Sequence, residues 1–538
     1  MIIDVHTHVW PDDDEGAWDL FVRECRANEV SLALVSCLVR GEHYPGPQDV
    51  RAANGRAKDF DVYAGDLTRW LAYINPQNEN WREELSACTE DGAIGLKLWI
   101  SLKDAAGNTD RTEEVIDCAS ASCLPVLIHT FNRTDPPLPG EFDIEEFASL
   151  AERHPNATLV GGHAGANWQH TLGVLRDRAP HALVDISGVY PQRGMLERLV
   201  KDIGAERIVF GSDMMGRSVS SQLAKVMLSD VSPEEKELIL WKNAARAFRL
   251  DAVPAAPPSH VARRLAAELP DPTVDHFCFC GQWPFFETPG KTPGELNSLL
   301  DESGIRTAFT ADLGSIYRFD LESANNAFLQ ACAGCDRIEP LAVVNPRAQN
   351  WERIVQGLDS GFAGVIVFPY LHAWSLDDSV HAPMFRALAE RSTPIWVNTS
   401  LDDYRFRHAG QNCRVITDTE LIAFCESAPA NAYVLQGLNA AQIEMLLSRE
   451  LPAAFKCEIS RLTDKTGTLA KVLESGSLPN LVMGSEFPLR HIREVRWAAT
   501  RMAAPRNRPV ARASNSWHRM SDEHSPRPGR PRHEETQP

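Results

Sequence analysis

Short apolar runs rich in β-branched residues alternate with longer charged segments through the first 250 residues of this 538-residue chain. The runs IIDVHTH, SLALVSCL, LAYINP, AIGLKLWI, PVLIHT, TLVGGHA, ALVDISG and RIVFGSD have the length and composition of strands, whereas FDIEEFASLAERH and SPEEKELILWKNAARAF carry apolar residues at helical spacing. Strands alternating with helices build a parallel sheet covered by helices, and eight such units predict a (β/α)8 barrel. The C-terminal strand ends and the loops after them form the catalytic face of that fold. Here those ends carry His6 and His8 on the first run, Lys97 on the fourth, His129 on the fifth, His163 on the sixth and Asp213 on the eighth.

The pattern then repeats at an offset of about 270 residues, a sign of duplication. INPQNENW faces VNPRAQNW, GAIGLKLW faces GFAGVIVF, LPVLIHT faces TPIWVNT, PNATLVGGHAG faces PANAYVLQGLNA, and RIVFGSDM faces NLVMGSEF. The expected organisation is two tandem (β/α)8 TIM-like barrels: residues 1–250, a Pro-rich linker over 251–259, residues 260–502, and a tail over 503–538. The tail is rich in Arg, Pro and Ser, has few apolar residues, and is expected to be disordered. The repeat also predicts that the second barrel lacks the metal ligands. Phe277 and Phe279 stand where His6 and His8 stand; Asn398, Leu438, Glu486 and Ile366 stand where His129, His163, Asp213 and Lys97 stand. Turn residues such as Asn345, Pro346, Gly361, Gly364 and Gly484 are kept, and Asp275 is an acidic position that remains. The two halves are expected to pack as an internal pseudo-dimer replacing an ancestral homodimer, and assembly into a higher oligomer is left open.

Composition narrows the class of partner. A hydrophobic content of 43% allows large cores, and a net charge of −19 opposes binding to nucleic acid or to an anionic membrane. A small-molecule substrate is the better expectation. No run approaches the roughly 20 apolar residues that cross a bilayer, and the chain opens on a strand pattern instead of a basic-then-apolar leader, so the expectation is a cytoplasmic protein. The 12 cysteines sit mostly in apolar stretches and predict buried thiols without disulfides. Cys278 and Cys280 with Cys332 and Cys335 form a C-x-C and a C-x-x-C that could give zinc four thiolates; small residues filling a core is the plainer reading.

His6 and His8 are two apart on a strand, so both imidazoles leave from one face and can reach one cation. An isolated H-x-H is more often a pair of core histidines, but His129, His163 and Asp213 fall at the same mouth. Imidazoles with one carboxylate make a ligand set suited to Zn2+, with Fe2+ or Mn2+ as alternatives. Asn75, Trp99 and Trp168 lie near strand ends as candidate pocket lining. Arg40, Arg133 and Arg217 follow the second, fifth and eighth strands, where one could bind a substrate carboxylate bidentately.

Residues 1–250 resemble the amidohydrolase superfamily, and within it the amidohydrolase-related group that includes aminocarboxymuconate-semialdehyde decarboxylase. The resemblance rests on H-x-H in the first strand, LIHT in the fifth, GGHAG in the sixth, FGSD in the eighth and KNAARAF in the terminal helix. It implies that His6, His8, His129 and Asp213 hold a single metal, that His163 stands beside it, and that Asp213 doubles as general base. Lys97 is ambiguous, because some superfamily members carbamylate a fourth-strand lysine to bridge two metals while the amidohydrolase-related group works with one. The leading expectation is hydrolysis of an amide, ester or lactone bond through metal-activated water, with nonoxidative decarboxylation of a small carboxylic acid as the alternative. A non-catalytic binding or scaffold protein is the third.

Overall fold

In the computed structural model, described for residues 1–502 except 135, 253–264, 286–289, 349, 402, 404, 406, 409, 412, 450–454 and 475–477, the chain forms two parallel β/α barrels in succession. The expected tail, and all but the first two residues of the expected linker, lie outside the described residues. The first barrel contains β1 (Ile3–Val9), β2 (Leu32–Cys37), β3 (Thr68–Trp70), β4 (Ala72–Tyr73), β5 (Leu96–Leu98), β6 (Val126–Ile128), β7 (Leu159–Gly161), β8 (Leu183–Asp185) and β9 (Ile208–Val209). Every neighbouring pair is parallel, within a sheet β1-β2-β3 and a sheet β4 to β9 in sequence order. β3 and β4 are one stretch broken at Leu71. The Leu71 N–H still bonds Val35 on β2 (2.8 Å), while the Ala72 N–H turns to Gly95 ahead of β5 (2.9 Å). The sheet closes where the Val5 N–H meets Phe210 O (3.0 Å) and the Asp213 N–H meets His6 O (2.7 Å).

All eight strand runs expected from the sequence are therefore present; the third starts earlier than expected, at Thr68. The strands are nearly continuously apolar because helices cover one face and the barrel interior the other. Helix Ile144–Arg153 shows how the covering forms: Asp143 and Glu146 make a capping box, and Ile144, Phe147, Ala148, Leu150 and Ala151 bury one stripe. The last helical run is continuous from Pro233 to Ala247 but contains a π-helical turn at Leu238–Lys242.

The second barrel contains β10 (Val274–Cys280), β11 (Thr307–Asp312), β12 (Ile338–Val343), β13 (Gly364–Val367), β14 (Ile395–Asn398), β15 (Tyr433–Gln436), β16 (Phe455–Glu458) and β17 (Leu481–Val482), parallel and in sequence order. It closes through the Phe279 N–H on Phe487 O (2.8 Å) and the Glu486 N–H on Phe277 O (2.6 Å). Local details recur between the halves. Asp4 Oδ1 accepts the His6 and Ser212 N–H groups (3.2 and 2.9 Å), and Asp275 Oδ1 accepts those of Phe277 and Ser485 (both 3.0 Å). The Asn54 side chain brackets Tyr73 by both its N–H and C=O, and Asn325 brackets Val343 in the same way. The first strand of each barrel breaks register at the same place, after Asp4 and after Asp275.

The halves meet through their strand-end loops. The Ser218 N–H bonds Asp464 O (2.9 Å), the Arg193 N–H bonds Leu489 O (3.0 Å), Gln192 bridges to Arg490, and the Thr134 N–H bonds Arg405 O (2.9 Å). Helix Val219–Met227 packs on helix Glu494–Arg501. Tyr190 reaches across into a ring of guanidinium groups, with Arg461, Arg217 and Arg490 at 5.3, 5.5 and 5.8 Å from its ring centre.

Arg490 is almost fully buried among Asp464, Glu486 (3.6 Å) and Glu494 (3.6 Å). Removing the cation leaves buried carboxylates uncompensated, so Arg490→Met is expected to destabilise the protein by about 3–5 kcal/mol. Urea unfolding of parent and variant checks this; an unchanged midpoint contradicts it.

Candidate metal centre

Alternation along β1 puts His6 and His8 on one face, both buried, with ring centres 5.0 Å apart. Asp213 follows β9 in a left-handed backbone conformation (φ +64°) that aspartate tolerates better than most residues, and its amide is held by His6 O. Asp213 Oδ1 lies 3.4 Å from His8 Nε2. One potential ligand atom from each of His6, His8 and Asp213 falls within 4.8 Å of the others. His163 sits in a 3-10 turn, Gly162–Gly165, also left-handed (φ +62°), with its ring 4.8 Å from that of His6. With His6 and Asp185 it makes a second group of the same compactness. Gly188 (φ +80°) makes room for this ring, since a Cβ there would stand 2.2 Å from His163 Nδ1.

Each imidazole expected to bind metal has one nitrogen tied to an outside partner. His6 Nδ1 bonds Asp185 Oδ2 (2.7 Å), His8 Nδ1 bonds Ser36 Oγ (3.0 Å), and His129 Nε2 bonds Glu141 Oε1 (2.9 Å). Such partners fix ring orientation and tautomer and raise the basicity of the other nitrogen. The remaining nitrogens meet groups of the site: His6 Nε2 faces Lys97 Nζ (2.8 Å), His8 Nε2 faces Asp213, and His129 Nδ1 faces His163 Nε2 (3.1 Å). His129 lies outside both compact groups and joins the site through His163. The chain Glu141, His129, His163, Ser187 continues back to His6, because Ser187 Oγ lies 3.0 Å from His163 Nδ1 and 3.1 Å from His6 Nδ1.

Burial lowers the pKa of His8 to about 4 and also lowers those of His129 and His163, which favours the neutral imidazoles a metal requires. Burial opposes ionisation of Asp213 and Asp185, yet both are held well below the usual carboxylate range. For Asp213 the His8 hydrogen bond and the fields of His163 and His6 outweigh it; for Asp185 the field and hydrogen bond of His6 do so, helped by His163 and Ser187. Lys97 is fully buried, and burial brings its pKa down to about 8. Oriented imidazoles and carboxylates held in their ionised form make a donor set that could hold a divalent metal, with Lys97 Nζ beside it on His6 Nε2 (2.8 Å).

The other sequence candidates divide. Asn75 is structural: its Nδ2 donates to Pro45 O (2.8 Å) and its Oδ1 accepts the Gln77 N–H (2.9 Å). Trp168 is buried and donates to Gln192, and Trp99 packs against the core. Arg40 stacks on Trp10 (3.6 Å), whose ring lies 5.7 Å from that of His8. Arg133 bonds Glu141 (2.9 Å) and covers Phe131 (4.8 Å), and Phe131 stacks on His129 (5.9 Å). Arg217 reaches Tyr190. Sequence reasoning missed Asp185, Glu141, Ser36 and Ser187. Asp185 carried a usable signal, a carboxylate inside the apolar strand run ALVDISG; Glu141 lies in a loop whose path no periodicity reveals.

Among the described residues, both groups that could hold a metal lie in the first barrel. At the corresponding end of the second, Phe277 and Phe279 pack edge to face (5.6 Å), and Asn398 bonds Gln436 (3.0 Å). Glu486 repeats the left-handed backbone of Asp213 (φ +57°), but its carboxylate is taken by Arg461 (2.6 Å), which also bonds the Ser400 and Gly437 carbonyls. The cysteines are free. Cys278, Cys280, Cys332 and Cys335 share an apolar cluster with Leu296, Leu300 and Phe328, and burial raises their thiol pKa values, as expected of core filling.

Glu458, at the end of β16, is buried, and burial pushes its pKa up to about 8 despite the Ser460 N–H (2.5 Å) and hydroxyl (2.9 Å). The folded state therefore keeps a proton that the unfolded chain releases near pH 4.5. Stability is fullest below that pH and falls as pH rises towards 8, by at most about 1.4 kcal/mol per unit. Glu458→Gln is expected to raise the melting midpoint more at pH 8 than at pH 5; an equal change at both would contradict this.

No helix of the described residues is long and apolar enough to cross a membrane. No curated protein matches the chain. Among solved structures, the 2,6-dihydroxybenzoate decarboxylase from Rhizobium is similar at 16% identity and a TM-score of 0.38, over 47% of this chain and 99% of that one. The 5-carboxyvanillate decarboxylase from Sphingomonas paucimobilis aligns at 16% identity and 0.36, over 46% and 98%. A dihydroxybenzoic acid decarboxylase from Polaromonas, solved with manganese and 2-nitroresorcinol, aligns at 15% and 0.38, over 47% and 98%. The amidohydrolase family model, Amidohydro_2, matches residues 3–250, the whole of the first barrel with its histidines and Asp213. Over residues 3–250, then, the chain is similar to the amidohydrolase family.

Proposed function

We propose that the first barrel is the working half of the chain and that it is a metal-dependent hydrolase acting on an amide, ester or lactone bond of a small organic molecule. The observation that carries this reading is the Asp213 carboxylate 3.4 Å from His8 Nε2, beside imidazoles that are each fixed at one nitrogen by Asp185, Ser36 or Glu141. His6, His8, His129 and Asp213 would hold one divalent ion, with zinc the first choice for imidazoles and a carboxylate and Fe2+ or Mn2+ suited to the same set. Such an ion supplies Lewis acidity, which polarises a carbonyl and makes a nearby water more acidic.

The remaining work falls to the chain's own residues. Asp213 accepts the proton as the water oxygen bonds to the carbonyl carbon, then returns it to the leaving nitrogen or oxygen as that bond breaks. His163, tied to Ser187 and His129, stands to hydrogen-bond the substrate oxygen. Lys97 Nζ lies on His6 Nε2, the nitrogen that would face the ion, so binding there would displace it, and an uncarbamylated Lys97 goes with a single-metal site. Decarboxylation is a second reading, favoured by one feature: Phe131 beside His129 is covered by the guanidinium groups of Arg133 and Arg405, each 4.8 Å away, a wall suited to a small aromatic acid. There the carbon that loses CO2 takes up a proton, so the group that supplies it starts protonated, whereas Asp213 starts hydrolysis as the base.

The second barrel, over residues 260–502, reads as a duplicated copy without the ligand set. The matching clamps at Asp4 and Asp275 support this. The reciprocal contacts support a pseudo-dimer: the loop after β8 meets the segment after β17, the loop after β9 meets that after β16, and the two last-strand helices pair with each other.

The test is turnover of metal-loaded protein on amide, lactone and carboxylate panels in 18O-labelled water. Label in the product supports hydrolysis, whereas CO2 release without label moves the assignment to the lyase reading. Asp213→Ala is expected to lower kcat by about 10^2- to 10^4-fold, and His8→Ala to lose the metal. Full turnover in both variants contradicts the site.

A further inference from the structure

We propose that the second barrel acts as a positioning element for the first barrel's metal ligands, with Thr466 and Asp464 strapping down the loop that carries Asp213. The inference rests on the metal reading given above. Asp213 needs such support. Its left-handed backbone, though easier for aspartate than for most residues, still carries a cost that the surroundings must offset.

Within the first barrel, one end of the loop is fixed by the Asp213 N–H on His6 O (2.7 Å) and the Arg217 N–H on Asp213 O (2.8 Å). The other end is fixed by the second barrel. Thr466 Oγ1 donates to Arg217 O (2.6 Å), the Ser218 N–H donates to Asp464 O (2.9 Å), and Ser221 Oγ donates to Asp464 Oδ1 (3.3 Å). Asp464 is itself buried and clamped by Arg490, so the strap is anchored in the second barrel's interior. Ser218 caps helix Val219–Met227, which packs on helix Glu494–Arg501 and ties the loop's exit to the same half.

A second strap acts on the neighbouring loop. Ser187, which touches both His6 and His163, is followed by Tyr190, Gln192 and Arg193. Arg193 donates its N–H to Leu489 O (3.0 Å), Gln192 bridges to Arg490, and the Tyr190 ring sits among Arg461, Arg217 and Arg490. Two loops of the first barrel that shape the donor set thus end on the second barrel, although its own equivalents of the ligands are two phenylalanines, an asparagine and a glutamate held by Arg461. On this account a barrel without ligands of its own has a task at its partner's site.

The test uses the full chain and Mn2+ as probe, read by equilibrium binding and by the Mn2+ electron paramagnetic resonance spectrum. Thr466→Val keeps the shape and removes the hydroxyl donor. It is expected to weaken Mn2+ binding by roughly tenfold, the lower end of what outer supports of metal ligands contribute, and to broaden the bound spectrum. Thr466→Ser should restore both. Thr89→Val, whose parent hydroxyl bonds within its own helix (2.8 Å to Leu85 O), should leave both unchanged. Parent-like affinity and spectrum in Thr466→Val, in a protein whose His8→Ala variant loses Mn2+, overturn the inference and leave the metal reading standing. No Mn2+, Zn2+ or Fe2+ binding by the parent overturns the metal reading and the inference with it.

Discussion

The first barrel depends on a single arrangement: buried imidazoles that would be costly to hide are each bonded at one nitrogen to Asp185, Ser36 or Glu141, and so present the other to Lys97, Asp213 or His163. Burying an imidazole or a carboxylate without a partner costs several times what an ordinary hydrogen bond returns. Asp185, Ser36 and Glu141 remove that penalty for His6, His8 and His129, and at the same time choose their tautomers. The His6 contact also holds Asp185 ionised against burial, and the His8 hydrogen bond with the fields of His163 and His6 does so for Asp213. A constellation built this way is in place before any substrate arrives, and that preorganisation is what electrostatic catalysis requires.

The second barrel meets the same electrostatic problem with a different cation. Glu486 repeats the left-handed backbone of Asp213, and Glu458 ends β16 as Asp185 ends β8. The guanidinium of Arg461 lies on Glu486, while Glu458 is left to keep its proton. Gly484 allows the close approach there, since a Cβ would stand 2.4 Å from that of Phe277, just as one on Gly211 would stand 2.9 Å from that of His6. The two barrels share this backbone geometry, and strand-end groups of the second, Arg461 and Arg490 among them, contact the first.

Much of this was legible in the residues. The strand runs were readable because a parallel strand buried on both faces is an apolar block, and period two put His6 and His8 together. His163 and Asp213 were legible as polar residues ending such blocks. Four things were not. Glu141 reaches His129 from a loop, and loop paths leave no periodic trace. Ser36 looks like any serine in an apolar strand until its neighbour on β1 is known. The break at Leu71 follows from how the sheet hands a strand from one neighbour to the next, a tertiary matter. The pairing of His129 with Glu141 and His163, which leaves it outside the compact groups around His6, likewise depended on side-chain geometry that spacing does not encode.

The central claim is that imidazole nitrogens and a carboxylate from distant parts of the chain meet around one cation at the end of the first barrel. X-ray absorption fine structure of the protein loaded with one equivalent of Zn2+ measures this directly. The account predicts a first shell of nitrogen and oxygen at about 2.0–2.1 Å with the outer-shell scattering of two to three imidazoles. A shell of oxygen alone, or of sulfur at about 2.3 Å, would place the metal elsewhere and contradict it.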